Sequence, residues 1–203
     1  MLHFTRDAQA ADLPFEIFKG VNGDTLQTSK LPMLGIGKVI YTTRGDPTQR
    51  KNLGTVGCYL SHRYLYEKIV KEDPDLDGCY LIFEDDVTFP PDFQDILQET
   101  LRDVPKDWDI IYFSKGGNLV ADPVTSIISK LRKRDDSASN FGTWGQIYRV
   151  RFLKEELLPY LKNMTDEIDT QIVRKFDEWN AYCYNPPLVL LQKSSKSQID
   201  PLD

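Results

Sequence analysis

The chain is poor in thiols and imidazoles: three cysteines (Cys58, Cys79 and Cys183) and two histidines (His3 and His62) in 203 residues. Three scattered cysteines cannot build a disulfide framework, and so few histidines supply a Cys/His metal site poorly. Reduced thiols and a cytoplasmic location are the expectation. An apolar run of about 18 residues, the length of a membrane-spanning helix, is missing too. No charged stretch followed by an apolar one opens the chain, so neither a transmembrane segment nor a secretory leader is expected. Positive charge is also in deficit, with 25 Lys and Arg against 31 Asp and Glu. Binding along a phosphate backbone needs a basic face, so no nucleic-acid partner is expected. An acidic chain that handles an anionic ligand usually recruits a divalent cation. What is present is a globular composition, 40% hydrophobic and 28% charged, which excludes a disordered or collagenous chain. The length suits one domain over residues 1–203 with a core of its own.

Residues 1–13 read as the end of a helix. Phe15 to Val21 alternates and runs into the turn signal Asn22-Gly23-Asp24, which predicts a strand. Residues 22–53 have weak periodicity and read as a long loop. Its cations Lys38, Arg44, Arg50 and Lys51 suit a lid that closes over a diphosphate. Gly54 to Glu72 carries apolar residues at helical spacing, and Pro74 follows it. Cys79-Tyr80-Leu81-Ile82-Phe83 is a continuous apolar run, the pattern of a strand covered on both faces in a parallel sheet. Helices are expected over 92–102, 151–162 and 166–177. Further strands are expected over 108–113 and 145–150, and residues 181–184 and 188–191, on either side of Pro186-Pro187, read as late strands or an extended tail. Residues 114–140, with the charge run Lys130 to Asp136, read as a solvated loop. Strands alternating with helices predict an α/β sandwich with a mostly parallel central sheet and its ligand at the carboxyl ends of the strands.

The sharpest chemical feature is Glu84-Asp85-Asp86, directly after the apolar run. If the strand continues, alternation places Glu84 and Asp86 on one side and Asp85 on the other. Two carboxylates so close repel by several kcal/mol at an effective dielectric of about 20. A divalent cation removes that repulsion, and Mg²⁺ or Mn²⁺ held by one or two carboxylates and phosphate oxygens is the expected arrangement. The competing reading is a solvated acidic turn in which Asp85 or Asp86 caps the next backbone turn. A second feature is Gly54-Thr55-Val56-Gly57-Cys58-Tyr59-Leu60-Ser61-His62. Glycines at a helix start admit a ligand, and a helix N-terminus favours an anion. A single helical histidine equally fits a packed, hydrogen-bonded side chain. Trp144, between Gly142 and Gly145, suits either a sugar-stacking ring or the core.

Taken in order, these elements resemble glycosyltransferase family 25, the lipopolysaccharide and procollagen galactosyltransferases. Gly54, Gly57, Cys58, Ser61 and His62 match its glycine-containing helix, and Glu84, Asp85 and Asp86 its acidic triplet. Weaker matches are Leu13 to Gly23, Trp108 to Ile111, Tyr148, Asp169, Pro186-Pro187-Leu188, Gln192 and Ser197-Gln198-Ile199. The strand that usually opens the family is expected ahead of Met1, which leaves that side of the nucleotide pocket to another segment or to a truncated portion. The resemblance implies a single-domain GT-A fold, Rossmann-like, and inverting transfer from a nucleotide-sugar, a UDP-sugar above all, to a glycan or glycoprotein hydroxyl. It implies a Mn²⁺ or Mg²⁺ cofactor on Asp86 and Glu84. Donor binding falls to Gly54, Gly57, Ser61, His62 and Asp85, and Asp169 becomes the general base. Two rivals stand beside it. A metal-dependent phosphohydrolase would need extra ligands, commonly histidine or aspartate, to build a two-metal site, and a count of two histidines argues against it. A catalytically inactive nucleotide-sugar or carbohydrate-binding module would keep the pocket without the transfer.

Overall fold

The computed structural model describes residues 2–37, 50–114, 116–117, 120–133 and 139–191. The cations Lys38 and Arg44, the side chains of Arg50 and Lys51, and Gln192 with Ser197 to Ile199 lie outside what is described, as do residues 38–49 of the expected lid. The described part is not one long loop, since Gly23–Thr25 and Thr28–Leu34 form short 3₁₀ turns and residues 50–53 open a helix. The chain forms two compact units: residues 1–16, 79–149 and 172–195, and residues 17–78, 150–171 and 196–203.

The first unit contains helix α1 (Leu2–Ala10) and a six-stranded sheet. Its strands are β1 (Cys79–Phe83), β3 (Ile110–Tyr112), β5 (Ala121–Pro123), β6 (Ile128–Leu131), β8 (Gly145–Arg149) and β9 (Ala181–Tyr184), in the order β1-β8-β3-β9-β6-β5. Two short ladders accompany it, β2 (Val87–Thr88) with β10 (Leu190–Leu191), and β4 (Gly116–Gly117) with β7 (Ser139–Phe141). The sheet is α/β in setting but mostly antiparallel, because only β3 and β9 run parallel. The expectation of a mostly parallel sheet is therefore corrected. An apolar run does not report its neighbour's direction, and β1 is not covered on both faces either: along Cys79–Phe83 only Ile82 is buried. β1 is an edge strand, with Cys79 exposed and Ile82 buried.

One sheet face holds the core. Leu81, Ile111, Ile147 and Tyr182 sit on it in register. Against it pack Ala8 of α1 and Phe93 of helix α3 (Phe93–Asp103), together with Val87, Phe89, Trp108, Phe113 and Val189. (Helix α2 belongs to the second unit.) Phe83 stacks on Phe89 at 5.0 Å, and Phe93 meets Phe113 edge-on at 5.2 Å. Burying aromatics of this size supplies about 1.5–3 kcal/mol each. The opposite face carries Gln146, Tyr148, Tyr112 and Cys183, with Phe176 edge-on to Tyr112 at 5.6 Å.

The reading of residues 114–140 as a solvated loop is also corrected, since β4, β5, β6 and most of β7 lie there, β6 at the start of the charge run. Ile128 and Leu131 are buried, and Lys130 is accommodated in the strand because its Nζ donates to Asn180 Oδ1 at 2.9 Å and lies 5.5 Å from the Tyr182 ring. The charge run concealed this strand.

The second unit is built on helix α2 (Arg50–Glu72), whose Val56, Tyr59, Leu60, Tyr66 and Ile69 are buried at helical spacing. A helical stretch follows β8 as α4 (Val150–Phe152), a π-turn over Leu153–Leu157 and α5 (Leu158–Tyr160). The last expected helix is shorter than residues 166–177: α6 covers Ile168–Val173, and residues 174–180 form turns. Among the described residues Phe15 to Val21 has no ladder partner, and it is not assigned as a strand. Its alternating Phe15 and Ile17 are exposed, 41% and 58%, so the pattern faces solvent. The Asn22 turn does form, with Asn22 Oδ1 accepting the Asp24 N–H at 3.0 Å. The three cysteines are free thiols, and among the described residues no helix is long and apolar enough to cross a membrane.

Candidate functional site

The acidic triplet leaves the sheet edge at the end of β1. Backbone pairing runs one residue past the strand, since Glu84 N–H donates to the Trp144 carbonyl at 3.1 Å. Asp85 and Asp86 then form a turn into β2. Strand alternation therefore does not extend through the triplet, yet exposure still alternates: Glu84 and Asp86 are half-buried around an exposed Asp85. The Glu84 side chain accepts a hydrogen bond at Oε1 from the Thr143 hydroxyl at 2.6 Å. Asp86 Oδ1 is removed from solvent.

The donor set is one of hard carboxylate oxygens. Among the described residues no group of three or more His, Cys, Asp or Glu side chains converges to hold a metal. Such a chain fits a cation that takes one or two protein carboxylates and completes its shell with waters and diphosphate oxygens, as Mg²⁺ and Mn²⁺ do. The described residues offer no zinc or calcium cage supplied wholly by protein. Glu84 and Asp86 are the residues that would hold it.

In the second unit, the helix carrying Gly54, Gly57, Ser61 and His62 begins at Arg50, four residues earlier than the sequence reading. The glycines therefore lie inside the i→i−4 ladder rather than at its open end, so their own amides are not the anion-binding groups of a helix start. Gly57 instead admits another piece of chain. A Cβ there would lie 2.7 Å from the Val21 carbonyl and 3.0 Å from the Gly23 nitrogen. Ser61 secures the same segment: its Oγ accepts the Val21 N–H at 2.8 Å and donates to the Gly57 carbonyl at 2.6 Å. Gly57→Ala is expected to destabilise the protein by about 1–3 kcal/mol, the usual range for overpacking. Urea unfolding checks this, and an unchanged midpoint would mean that the segment moves away without penalty.

His62 is 7% exposed and its Nδ1 lies 3.2 Å from the Tyr66 hydroxyl. Tyr59 donates to the Leu161 carbonyl at 2.9 Å, and burial pushes its hydroxyl well above the ordinary tyrosine range, so it stays a donor. Arg63 Nη1 donates to the carbonyls of Leu34 at 2.8 Å and Lys162 at 3.3 Å.

Asp169 sits in the first turn of α6, half-buried, and its Oδ1 accepts the Thr170 N–H at 2.7 Å. Asp166 lies ahead of the helix rather than one turn along it. It is 7% exposed and its Oδ1 accepts the Glu167 N–H at 3.0 Å. The segment that bears Asp166 and leads into α6 is fixed by Gln171, itself in α6 and fully buried. Gln171 Oε1 accepts the Thr165 N–H at 2.9 Å, and Nε2 donates to the carbonyls of Asn163 at 3.0 Å and Tyr160 at 3.3 Å.

Sequence reasoning missed Thr143 and Gln171. Thr143 reaches Glu84 only through antiparallel register, which no local pattern reports. Gln171 had one available signal, an amide at a buried position of an amphipathic helix. Trp144 is partly buried and packs against the first unit's core.

Comparison with known proteins adds an independent line. The model of glycosyltransferase family 25 (LPS biosynthesis protein) matches residues 2–140, more than half of the chain. A glycosyltransferase 25 family member of Aedes aegypti is 33% identical over 107 residues, covering 51% of this chain and 17% of the relative. Procollagen galactosyltransferase 2 of Mus musculus is 30% identical over 121 residues, covering 57% of this chain and 19% of the relative. A further mouse relative, 31% identical over 109 residues (51% of this chain, 18% of the relative), carries the name inactive glycosyltransferase 25 family member 3. The chain thus spans less than a fifth of the length of these three relatives.

Proposed function

The chain belongs to glycosyltransferase family 25, and from that premise we propose that it transfers a sugar from a nucleotide-sugar, a UDP-sugar first of all, to a hydroxyl of a glycan or glycoprotein. The observation that carries this reading is the family match over residues 2–140, a span that includes the acidic triplet and the glycine-containing helix. The scaffold in this reading is GT-A.

Asp86 and Glu84 hold Mn²⁺ or Mg²⁺, which when bound supplies neutralisation of the diphosphate leaving group. Asp85 is exposed at the tip of the turn and accepts hydrogen bonds from donor hydroxyls. Gly57 and Ser61 serve the donor side by holding the segment around Val21 to Gly23, with Gly54 and His62 in the same helix. In this reading Asp169 is the general base that takes the acceptor hydroxyl's proton in an inverting transfer, the diphosphate being the leaving group.

A second reading has one observation in its favour, the mouse relative named as inactive. In that reading the chain binds a nucleotide-sugar and does not turn it over. Thermal shift across a panel of nucleotide-sugars, with and without Mn²⁺, finds the donor, because a bound ligand raises apparent stability by mass action. Nucleotide release without acceptor then separates the readings. A transferase leaks UDP slowly in Mn²⁺, whereas an inactive binder gives the shift without release. No shift with any nucleotide-sugar contradicts both.

A further inference from the structure

Glu84 is held at two points by one stretch of the neighbouring strand. Its backbone N–H donates to Trp144, one step beyond the Phe83–Gly145 pair, and its side chain accepts from Thr143 at 2.6 Å. A hydroxyl–carboxylate bond of this length belongs to the charge-assisted class, roughly twice as strong as a neutral one. Thr143 is 3% exposed, so water does not compete for its hydroxyl.

The flanking residues fix where that hydroxyl lies. Gly142 has φ +100°, a conformation that side chains disfavour, and a Cβ there would lie 2.9 Å from the Trp144 indole. Gln146, fully buried, donates from Nε2 to the Gly142 carbonyl at 3.3 Å. Its Oε1 has no hydrogen-bond partner among the described residues. Leaving a buried acceptor unsatisfied costs about 1–3 kcal/mol, so an apolar side chain would suit this position better if packing were its only task. What the amide provides is the anchor on Gly142, one residue before Thr143.

We propose that Thr143 is a positioning residue for Glu84, and that Gly142 to Gln146 forms a bracket fixing the Glu84 carboxylate in one orientation for a divalent cation. This rests on the reading of Glu84 and Asp86 as the cation's ligands. Hydrogen-bond partners of metal ligands typically change metal affinity 10–100-fold when removed.

The test titrates Mn²⁺ into the full chain in the presence of UDP, following free Mn²⁺ by electron paramagnetic resonance. Thr143→Val keeps the shape and removes the hydroxyl, and should weaken Mn²⁺ binding about 10–100-fold. Thr143→Ser keeps the hydroxyl and should restore affinity close to wild type. Thr143→Ala carries the same expectation as Thr143→Val should the latter not fold. A merely structural pair would lower the unfolding midpoint and leave Mn²⁺ affinity of the folded protein unchanged, which overturns the proposal. Glu84→Gln and Asp86→Ala serve as controls. If both lose Mn²⁺ while Thr143→Val does not, the bracket is wrong and the ligand assignment stands. If both bind Mn²⁺ like the wild type, the ligand assignment fails and the bracket with it.

Discussion

Asp86→Ala is expected to abolish metal-dependent donor binding and to lower transfer by about 10²–10⁴-fold, with little change in stability. The rate estimate follows from the several kcal/mol that a bound cation contributes to leaving-group stabilisation, at about 1.4 kcal/mol per tenfold. The stability estimate follows from position. Asp86 lies in the turn between β1 and β2, and the ladders on either side, β1 with β8 and β2 with β10, use backbone groups that the substitution leaves in place. A change of about 1 kcal/mol or less in urea unfolding is therefore expected. Isothermal titration with the donor, with and without Mn²⁺, separates this from general damage. The wild type should show affinity that Mn²⁺ strengthens, and Asp86→Ala should show the same weak affinity in both conditions. Wild-type turnover by Asp86→Ala in Mn²⁺ would place the cation elsewhere.

The second large effect belongs to Asp169. Asp169→Asn should reduce turnover about 10²–10⁴-fold while donor affinity stays as in the wild type, the signature of a lost general base. The substitution is conservative here for a stated reason. The Asp169 Oδ1 bond to the Thr170 N–H requires only an acceptor, and the asparagine carbonyl supplies one. The helix start is kept while the basic oxygen is lost. Single-turnover rates measured beside donor binding check the split. Loss of donor affinity in step with rate, or normal turnover, would move the role to another carboxylate. Asp166 is the next to test, although it is the more buried of the two.

Both assignments draw on a site that was partly legible in the sequence. The apolar run Cys79 to Phe83 correctly predicts the strand that delivers Glu84, because five apolar residues before three acids have few other stable placements. The same run misreports the sheet. The run marks a strand but not how deeply it is buried, which neighbour it pairs with or in which direction, and β1 proved to be a half-buried antiparallel edge. Helix spacing from Gly54 onward predicts the buried face of α2 well, yet places its start late, since Arg50 to Leu53 offers no capping signal. Lys130 hid β6 by sitting inside it, where Asn180 and Tyr182 accommodate its ammonium. Phe15 and Ile17 imitated a strand because alternation is also what an extended, solvent-facing segment shows. Thr143 was illegible for a deeper reason. Its contact with Glu84 spans 59 positions and exists only through strand register.

The central claim is metal-dependent sugar transfer. Its most direct measurement is release of nucleoside diphosphate from the donor found by thermal shift, with a hydroxyl-bearing glycan or glycopeptide present, in Mn²⁺ and after chelation. The account predicts release that the acceptor accelerates, that chelation stops, and that Mn²⁺ restores, with one glycosidic bond formed per nucleotide released. Release that is the same with and without chelator, or that never transfers sugar to an acceptor, would contradict it.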